Sequence, residues 1–181
     1  MISECNNNQH EFLILNCVDM DFIINRNQFF ASIFLEESAI NKSYARYFSS
    51  QMIYHGQTLA VFDFNKFLKD TFGSGIISMY NIALICDISL FSESNQSVYR
   101  KHILKKNTDL SSEYLALKLN VQARIKHIPL SEIRLIPSGI KEKLKKEGIL
   151  GCRFKHNIQF FVDIETIIFK CMLEKGLRYD H

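Results

Sequence analysis

The residues of this chain that could do chemistry are a few cysteines and histidines. Cys152 and His156 have the spacing of half a zinc site, but no second Cys-x-x-Cys or histidine pair in the sequence completes a tetrahedron. Cys86 with His55 or His102 has the residue types of a thiolate–imidazole nucleophile. Cys86 lies in an apolar run, however, where its thiol should stay protonated and unreactive. The sequence therefore favours structural cysteines over a metal site or a catalytic pair.

The aspartates are better explained by backbone hydrogen bonding than by acid–base catalysis. Asp19 and Asp21 flank Met20 in a predicted hairpin turn, where aspartate commonly accepts backbone hydrogen bonds. Asp63 and Asp163 each follow a β-rich apolar run and precede apolar residues at helical spacing, which is the position of a helix N-cap. The sequence has no phosphate-loop, dinucleotide-binding, zinc-protease or serine-hydrolase motif. We therefore expect no enzymatic activity, no metal and no cofactor.

The segment around Asp63 recurs 100 residues later around Asp163. Each copy has a β-rich run, an aspartate and then apolar residues at helical spacing. The apolar positions also match at this offset: Phe64, Phe67 and Leu68 correspond to Ile164, Ile167 and Ile168. Repetition of a whole supersecondary unit predicts two related halves. Chance similarity between two Phe/Ile-rich stretches is the alternative.

Length and charge limit the possible function classes. The 181 residues can bury one good core or two small cores packed together, and 47% apolar residues with 15 phenylalanines favour a globular protein. The 22 basic and 19 acidic side chains leave a net charge of +3, which is too small for a dedicated nucleic-acid binder. We therefore expect no nucleic-acid partner.

The sequence also predicts the compartment. The polar N-terminus lacks the basic and apolar regions of a signal peptide. The longest apolar stretch, residues 75–86, is too short to span a bilayer. Five cysteines at scattered spacing give no disulfide framework. We expect a cytoplasmic protein that does not insert into a membrane.

The elements that must position these residues are short. Strands with turn signals roughly every eight to twelve residues are typical of small β-barrels, and two barrels of about five strands fit the length and the repeat. Hairpins are predicted over 12–24, 51–62 and 150–162, single strands over 76–86, 114–120 and 121–128, and helices over 64–72, 139–147 and 164–174. Residues 87–112, rich in Ser, Asn, Glu and Lys, are interpreted as an inserted surface loop.

The order of these elements resembles the CheW-like family of bacterial chemotaxis adaptors, over residues 12–168. Four segments carry the resemblance: the opening hairpin 12–24, the strand and aspartate 59–64, the stretch 125–134, and the closing strand and helix start 161–165. The resemblance implies a mainly β fold of two five-stranded SH3-like β-barrel subdomains with a few short helices, forming one domain over 1–181. It also implies binding, without chemistry, to the regulatory domain of a chemotaxis histidine kinase and to the cytoplasmic tips of chemoreceptors.

By the same resemblance, a receptor-binding groove lies between the two barrels. The corresponding positions are Phe29, Ile53, His55, Ile82 and Ile125. His55 stands where the family has arginine, which is always charged and binds in a bidentate manner, whereas histidine is only partly charged near neutral pH. Ile53 likewise stands where the family has asparagine.

The residues and the resemblance together leave three hypotheses. The first is a non-catalytic adaptor that couples a chemotaxis histidine kinase to helical receptor tips in signalling arrays. The second is a divergent scaffold that binds a kinase or another CheW-like domain without contacting a receptor. The third, which the chemistry above supports least, is a small Cys/His enzyme.

Overall fold

The computed structural model describes residues 9–16, 20–35, 47–73, 81–105, 110, 112–119, 123–136 and 144–176. The strands in these ranges are β1 (Gln9–Asn16), β2 (Asp21–Asn25), β3 (Phe29–Phe34), β4 (Phe48–Tyr54), β5 (Gln57–Asp63), β6 (Ile82–Asp87), β7 (Tyr114–Leu119), β8 (Ala123–Pro129), β9 (Arg134–Leu135), β10 (Ile149–Phe154) and β11 (Ile158–Val162). The helices are α1 (Phe64–Phe72), α2 (Glu93–Tyr99), which continues into a π-helical turn over Arg100–Leu104, and α3 (Ile164–Gly176). The predicted class, mainly β with a few short helices, is confirmed.

The strands form two sheets with related topology. Sheet 1 has the order β8-β1-β2-β11-β10-β9, and sheet 2 has the order β3-β6-β7-β5-β4. Each contains one parallel pair, β2 with β11 and β5 with β7, among antiparallel neighbours. In each sheet the two edge strands are consecutive in the chain. Sheet 1 has six strands instead of the five expected, because the short β9 pairs with β10; the SH3-like character of the subdomains stays a prediction.

The apolar side chains form one shared core and two smaller ones. Both sheets and all three helices contribute to the shared core. The ring of the buried Phe22 on β2 lies 5.4 Å from that of the partly buried Phe72 on α1 and 6.3 Å from that of the partly buried Phe160 on β11. The opposite face of each sheet encloses its own cluster: Leu59, Val61, Ala83, Ile85 and Ala116 in sheet 2, and Phe12, Ile14, Ile23 and Ile128 in sheet 1. Because side chains alternate along a strand, each sheet contributes one face to the shared core and the other face to its own cluster.

The repeat predicted around Asp63 and Asp163 forms two equivalent units. The first unit is β4, β5, Asp63 and α1, and the second unit is β10, β11, Asp163 and α3. The backbone N–H of each aspartate donates to the residue just before its hairpin: Asp63 to the carbonyl of Tyr47 (2.8 Å) and Asp163 to that of Gly148 (2.7 Å). Each carboxylate also accepts a hydrogen bond from the first turn of the following helix. Both aspartates therefore accept hydrogen bonds from the first turn of the helix that follows them, as the predicted helix caps would.

The two helices begin and the hairpins pair as the sequence predicts. Helix α1 spans the predicted residues and ends at Gly73 in a left-handed conformation (φ 66°). Two other predicted elements extend outside the described residues. The strand predicted over 76–86 is observed as β6 from Ile82, with 74–80 not described, and the helix predicted over 139–147 is described only from residue 144.

Asp21 is not a turn residue as we expected. It begins β2, and its side chain is buried (6% exposed). Its carboxylate accepts hydrogen bonds from Asn16 Nδ2 (3.0 Å) and from Gln159 Nε2 on β11 (2.9 Å). The reason is the parallel pairing of β2 with β11, which brings Gln159 next to Asp21. Asp19 lies outside the described residues.

The described part of residues 87–112 is helical and contributes to the shared core, contrary to the expected surface loop. Four of its apolar residues, Ile88, Phe91, Tyr99 and Ile103, are buried, whereas Leu90 is exposed. Glu165 of α3 ties the start of α2 to the second unit, since its Oε1 accepts from Ser92 N (2.8 Å) and Asn95 Nδ2 (2.6 Å). That these residues are an insertion, and that 1–181 is a single domain, stay predictions.

Candidate protein-docking surfaces

The five residues expected to line a groove do not form one continuous surface. Phe29 begins β3 and is only 3% exposed, because it packs in the shared core opposite Cys86. It is therefore a core residue in this structure, and a partner cannot reach it. The other four positions are at least partly exposed, but they divide into two pairs.

Ile82 and Ile125 both lie near the chain connection between the two sheets, on β6 and β8. Ile82 is half-buried on β6 opposite Leu119 at the end of β7. Ile125 is 59% exposed on β8, and it lies opposite the core residue Leu13. Only residues 120–122 separate Leu119 from Ala123, so the ends of β7 and β8 lie within about 14 Å of each other. We call Ile82, Ala123 and Ile125 the seam surface, because they flank the junction of the two sheets.

Ile53 and His55 form the other pair, at the tip of the β4–β5 hairpin. Ile53 is 72% exposed and pairs with Thr58. His55 (φ 48°) and Gly56 (φ 76°) make a two-residue turn with both φ angles positive, as tight hairpins require. Following the register through β5 to β7, Ile53 is level with residue 113, six residues from Leu119. At the rise of a β-strand this places Ile53 roughly 20 Å from Ile82 along the strands.

The second unit has an equivalent tip that the sequence analysis missed. Phe154 and Ile158 form a cross-strand pair, as Ile53 and Thr58 do in the first unit. Ile158 lies five residues before Asp163, and Thr58 lies five residues before Asp63. Phe154 is 60% exposed and Ile158 is 44% exposed. The repeat in the sequence contained the information needed to find this second tip. This information was obscured because three residues, 155–157, connect this pair, whereas four residues, 54–57, connect the equivalent pair of the first unit. The offset on the first strand is therefore 101 and not 100.

Around this tip the apolar surface is continuous with the core. Cys152 pairs with Phe160 on the same face as Phe154 and Ile158, and Phe160 contacts Phe22 in the shared core. We call Cys152, Phe154, Ile158 and Phe160 the hairpin surface. The equivalent positions of the first unit, Gln51 and Ala60 in place of Cys152 and Phe160, are buried. The exposed apolar face is therefore larger on the second unit.

Buried polar residues on one face of β10 and β11 fix which side chains lie on the face of the hairpin surface. Arg153 is only 4% exposed and makes an ion pair with Glu132, while its cross-strand neighbour Gln159 bonds Asp21. Removing Glu132 would leave the buried guanidinium of Arg153 without its charge partner, which is costly. Because successive side chains alternate, burial of Arg153 and Gln159 on one face places Phe154 and Ile158 on the other.

The residues that could do chemistry differ in how far solvent can reach them. Cys86 is fully buried, and burial raises the pKa of its thiol, which opposes thiolate formation. Cys152 is half-buried on β10 and His156 is exposed in the hairpin loop. Among the described residues there is no group of three His, Cys, Asp or Glu side chains placed to bind a metal ion.

One small cleft lies between α1 and α3. Its volume is about 190 Å³, and it is lined by Tyr47, Phe67, Asp70, Thr71, Glu147, Lys170 and Cys171. Lys170 and Glu147 form an ion pair within it. Ligand pockets usually have volumes above about 300 Å³, so this cleft does not suggest a small-molecule site. None of the described helices is both long and apolar enough to cross a membrane.

Comparison with known proteins supports the fold but gives no sequence match. No family model matches this chain, and no curated protein matches its sequence. Among solved structures, it is similar to the crystal structure of the scaffolding protein TtCheW from Thermoanaerobacter tengcongensis, with a TM-score of 0.57 and 10% identity over 91% of this chain and 90% of that chain. The chain has a CheW-like fold. At this low identity the likeness extends to the architecture and not to individual side chains.

Proposed function

We propose that this protein is a non-catalytic adaptor of chemotaxis signalling, which couples a histidine kinase to the helical tips of chemoreceptors at the cytoplasmic face of the membrane. The observation that carries the proposal is a CheW-like fold with exposed apolar surfaces at separate places on a common core. An adaptor must hold two partners at once, so it needs at least two surfaces that do not overlap. The seam surface and the hairpin surface meet this requirement.

The seam surface is suited to a helical partner. Ile82 and Ile125 come from different sheets and lie near the chain connection between the two sheets. An amphipathic helix can lay its apolar face along such a junction, using residues three and four positions apart as anchors. This is the surface that we assign to the receptor tip.

The hairpin surface is suited to a folded partner domain. Phe154 and Ile158 form a compact exposed pair, and the ion pair of the buried Arg153 with Glu132 holds the strand between them and the sheet. Large apolar and aromatic residues on a rigid support are typical of the centre of protein interfaces. We assign this surface to the regulatory domain of the kinase.

One observation favours the second hypothesis, a scaffold that binds a kinase or another CheW-like domain without a receptor. Ile53 and His55, two of the groove positions implied by the resemblance, lie at the far end of sheet 2 from Ile82. The inferred groove is therefore split, and Phe29 is buried beneath it. Receptor contact must then rest on the seam surface alone.

A two-partner binding experiment tests the proposal. The full chain and two variants, Ile125→Asp and Phe154→Asp, are titrated against a receptor cytoplasmic fragment and against a kinase regulatory domain. We expect Ile125→Asp to weaken receptor binding at least tenfold without changing kinase binding, and Phe154→Asp to do the reverse. Leu90→Asp is the matched control, since Leu90 is 64% exposed and belongs to neither surface.

The outcomes separate the hypotheses. Kinase binding without receptor binding by the unmodified protein selects the scaffold. Failure to bind either partner contradicts both. If one variant loses affinity for both partners equally, while circular dichroism shows an intact fold, the assignment of separate surfaces is contradicted.

A further inference from the structure

The four edge strands of the two sheets are protected to different degrees against pairing with another strand. The edge strand β8 carries Arg124, Lys126 and Pro129, and the edge strand β9 is only two residues long. Charges, proline and shortness are the usual protections of a sheet edge. The edges of sheet 2, β3 and β4, contain neither a charged residue nor a proline.

Of these two, β3 is the more accessible edge. Ser50 and Gln51 in the middle of β4 are buried, and its exposed Ile53 lies next to the hairpin turn. In contrast, Ser32 of β3 is exposed and Phe34 is 79% exposed. In the described part of the chain, β3 pairs with β6 on one side only. An uncharged strand with an exposed phenylalanine is therefore available at this edge of the sheet.

The hydrogen-bond pattern shows which main-chain groups of β3 point outward. The backbone N–H of Leu35 donates to the carbonyl of Asn81, so Leu35 faces β6. In an antiparallel ladder, residues alternate between inward and outward hydrogen bonding. Ile33 therefore also faces inward, and Ser32 and Phe34 direct their N–H and C=O groups away from the sheet.

We propose that two copies of this chain pair through their β3 strands, antiparallel, with the two-fold axis at Ile33. In this register Ser32 and Phe34 of one copy oppose Phe34 and Ser32 of the other, and each of these pairs exchanges two main-chain hydrogen bonds. Ile33 meets its own counterpart at the axis. The two five-stranded sheets then become one continuous sheet of ten strands.

A second copy fits this edge better than a foreign strand for two reasons. The large Phe34 lies opposite the small Ser32 twice, so the pairing is self-complementary, and the two phenylalanines are diagonal neighbours within aromatic reach. A two-fold axis brings each residue close to its own copy, and β3 has no charge that would repel itself. It also has no charge with which to select a different partner.

The interface is small, so the dimer is weak. Two six-residue strands bury less than the roughly 1,200 Å² of a standard interface. We expect a dissociation constant on the order of 100 µM. The inference does not depend on the proposed adaptor function.

Sedimentation velocity of the full chain from 10 µM to 1 mM tests the proposal. We expect a concentration-dependent shift from monomer to dimer. Phe34→Lys places a positive charge on the edge, and it should raise the dissociation constant at least tenfold. Leu135→Lys is the matched control and should leave the dimer unchanged, because Leu135 is 76% exposed on β9 of the other sheet and belongs to neither docking surface.

The register is tested separately by cross-linking. Ile33→Cys places two thiols at the two-fold axis, at a Cα separation that suits a disulfide. Under mild oxidation at 1 mM, mass spectrometry should identify a linked peptide pair that contains position 33 in both chains. A protein that stays monomeric at 1 mM, a dimer that persists in Phe34→Lys, or a dimer without this cross-link would each overturn the proposal.

Discussion

The first and second units share a backbone plan and differ in what they show to solvent. In both, a hairpin is closed by the N–H of an aspartate that also caps the next helix. At the tips, Ile53 and Thr58 of the first unit correspond to Phe154 and Ile158 of the second. The buried frame is thus common to both units, while the exposed residues have diverged. The difference indicates that the frame serves stability and that the tips are free to serve recognition.

The units also differ in how firmly their parts are fixed. Asp63 caps α1 with one side-chain bond, from Lys66 N (2.9 Å). Asp163 accepts from Glu165 N (3.1 Å) and from Thr166 Oγ1 (2.6 Å). Glu165 further connects the second unit to α2. The second unit, with the larger exposed apolar surface, therefore has the more extensive hydrogen bonding.

The largest expected effects come from the core beneath each unit. Phe64 and Ile164 begin the two helices and are fully buried. We expect Phe64→Ala to lower the free energy of unfolding by about 3–5 kcal/mol and Ile164→Ala by about 2–5 kcal/mol, because each leaves a cavity in the shared core. Urea unfolding measures both. A loss below about 1 kcal/mol in only one variant would break the equivalence of the units.

A second pair of variants separates backbone strain from steric overlap. Gly148 (φ 78°) and Gly56 (φ 76°) both have left-handed backbones. A Cβ at Gly148 would lie 2.6 Å from Ile167 Cγ1, whereas nothing lies within 4 Å of one at Gly56. We expect Gly56→Ala to lower the free energy of unfolding by about 1–2 kcal/mol, and Gly148→Ala by about 1–3 kcal/mol more. Equal losses in urea titrations would show that α3 moves away without cost.

The caps should differ in the same direction as their hydrogen bonds. Asp63→Ala removes one side-chain bond, and we expect it to lower the free energy of unfolding by about 1 kcal/mol. Asp163→Ala removes two, and we expect a loss of about 2 kcal/mol. Thermal unfolding of the two variants side by side measures the difference. A larger loss in Asp63→Ala would reverse our ranking of the two units.

The smallest effect is expected at the hairpin tips. His55 has a positive φ, which asparagine adopts more readily, and Asn-Gly is a favoured two-residue turn. We expect His55→Asn to raise the free energy of unfolding by about 0.5 kcal/mol. His156 lies in the loop over 155–157 and has no positive φ, so His156→Asn is the control and should change stability by less. Stabilisation of both variants would point to a cause other than the turn.

Local elements of the fold were predictable from the sequence. Helix α1 begins after Asp63 and ends at Gly73, and each end depends on a contact within a single helical turn. The tight turn at Gly56 is equally local. The repeat was visible because both copies keep the aspartate and the apolar residues that follow it. The likeness to a CheW-like fold followed from the order of these local elements.

The candidate surfaces were much less predictable. Phe29 and Phe34 are both phenylalanines of β3, yet Phe29 is 3% exposed and Phe34 is 79% exposed. Phe154 was overlooked because a one-residue difference in loop length shifts the repeat. Ile53 and Ile82 were assigned to one groove, although the register of sheet 2 places them at opposite ends.

The sequence by itself determined the hairpins, the helix caps and the duplication, because these arise from contacts between residues close in the chain. Only the tertiary structure decided which side chains are buried and which are presented. The decisive contacts are long-range: Asp21 and Gln159 meet across 138 residues because β2 pairs with β11. A strand pattern fixes which residues share a face, but the partner strands decide whether that face is covered.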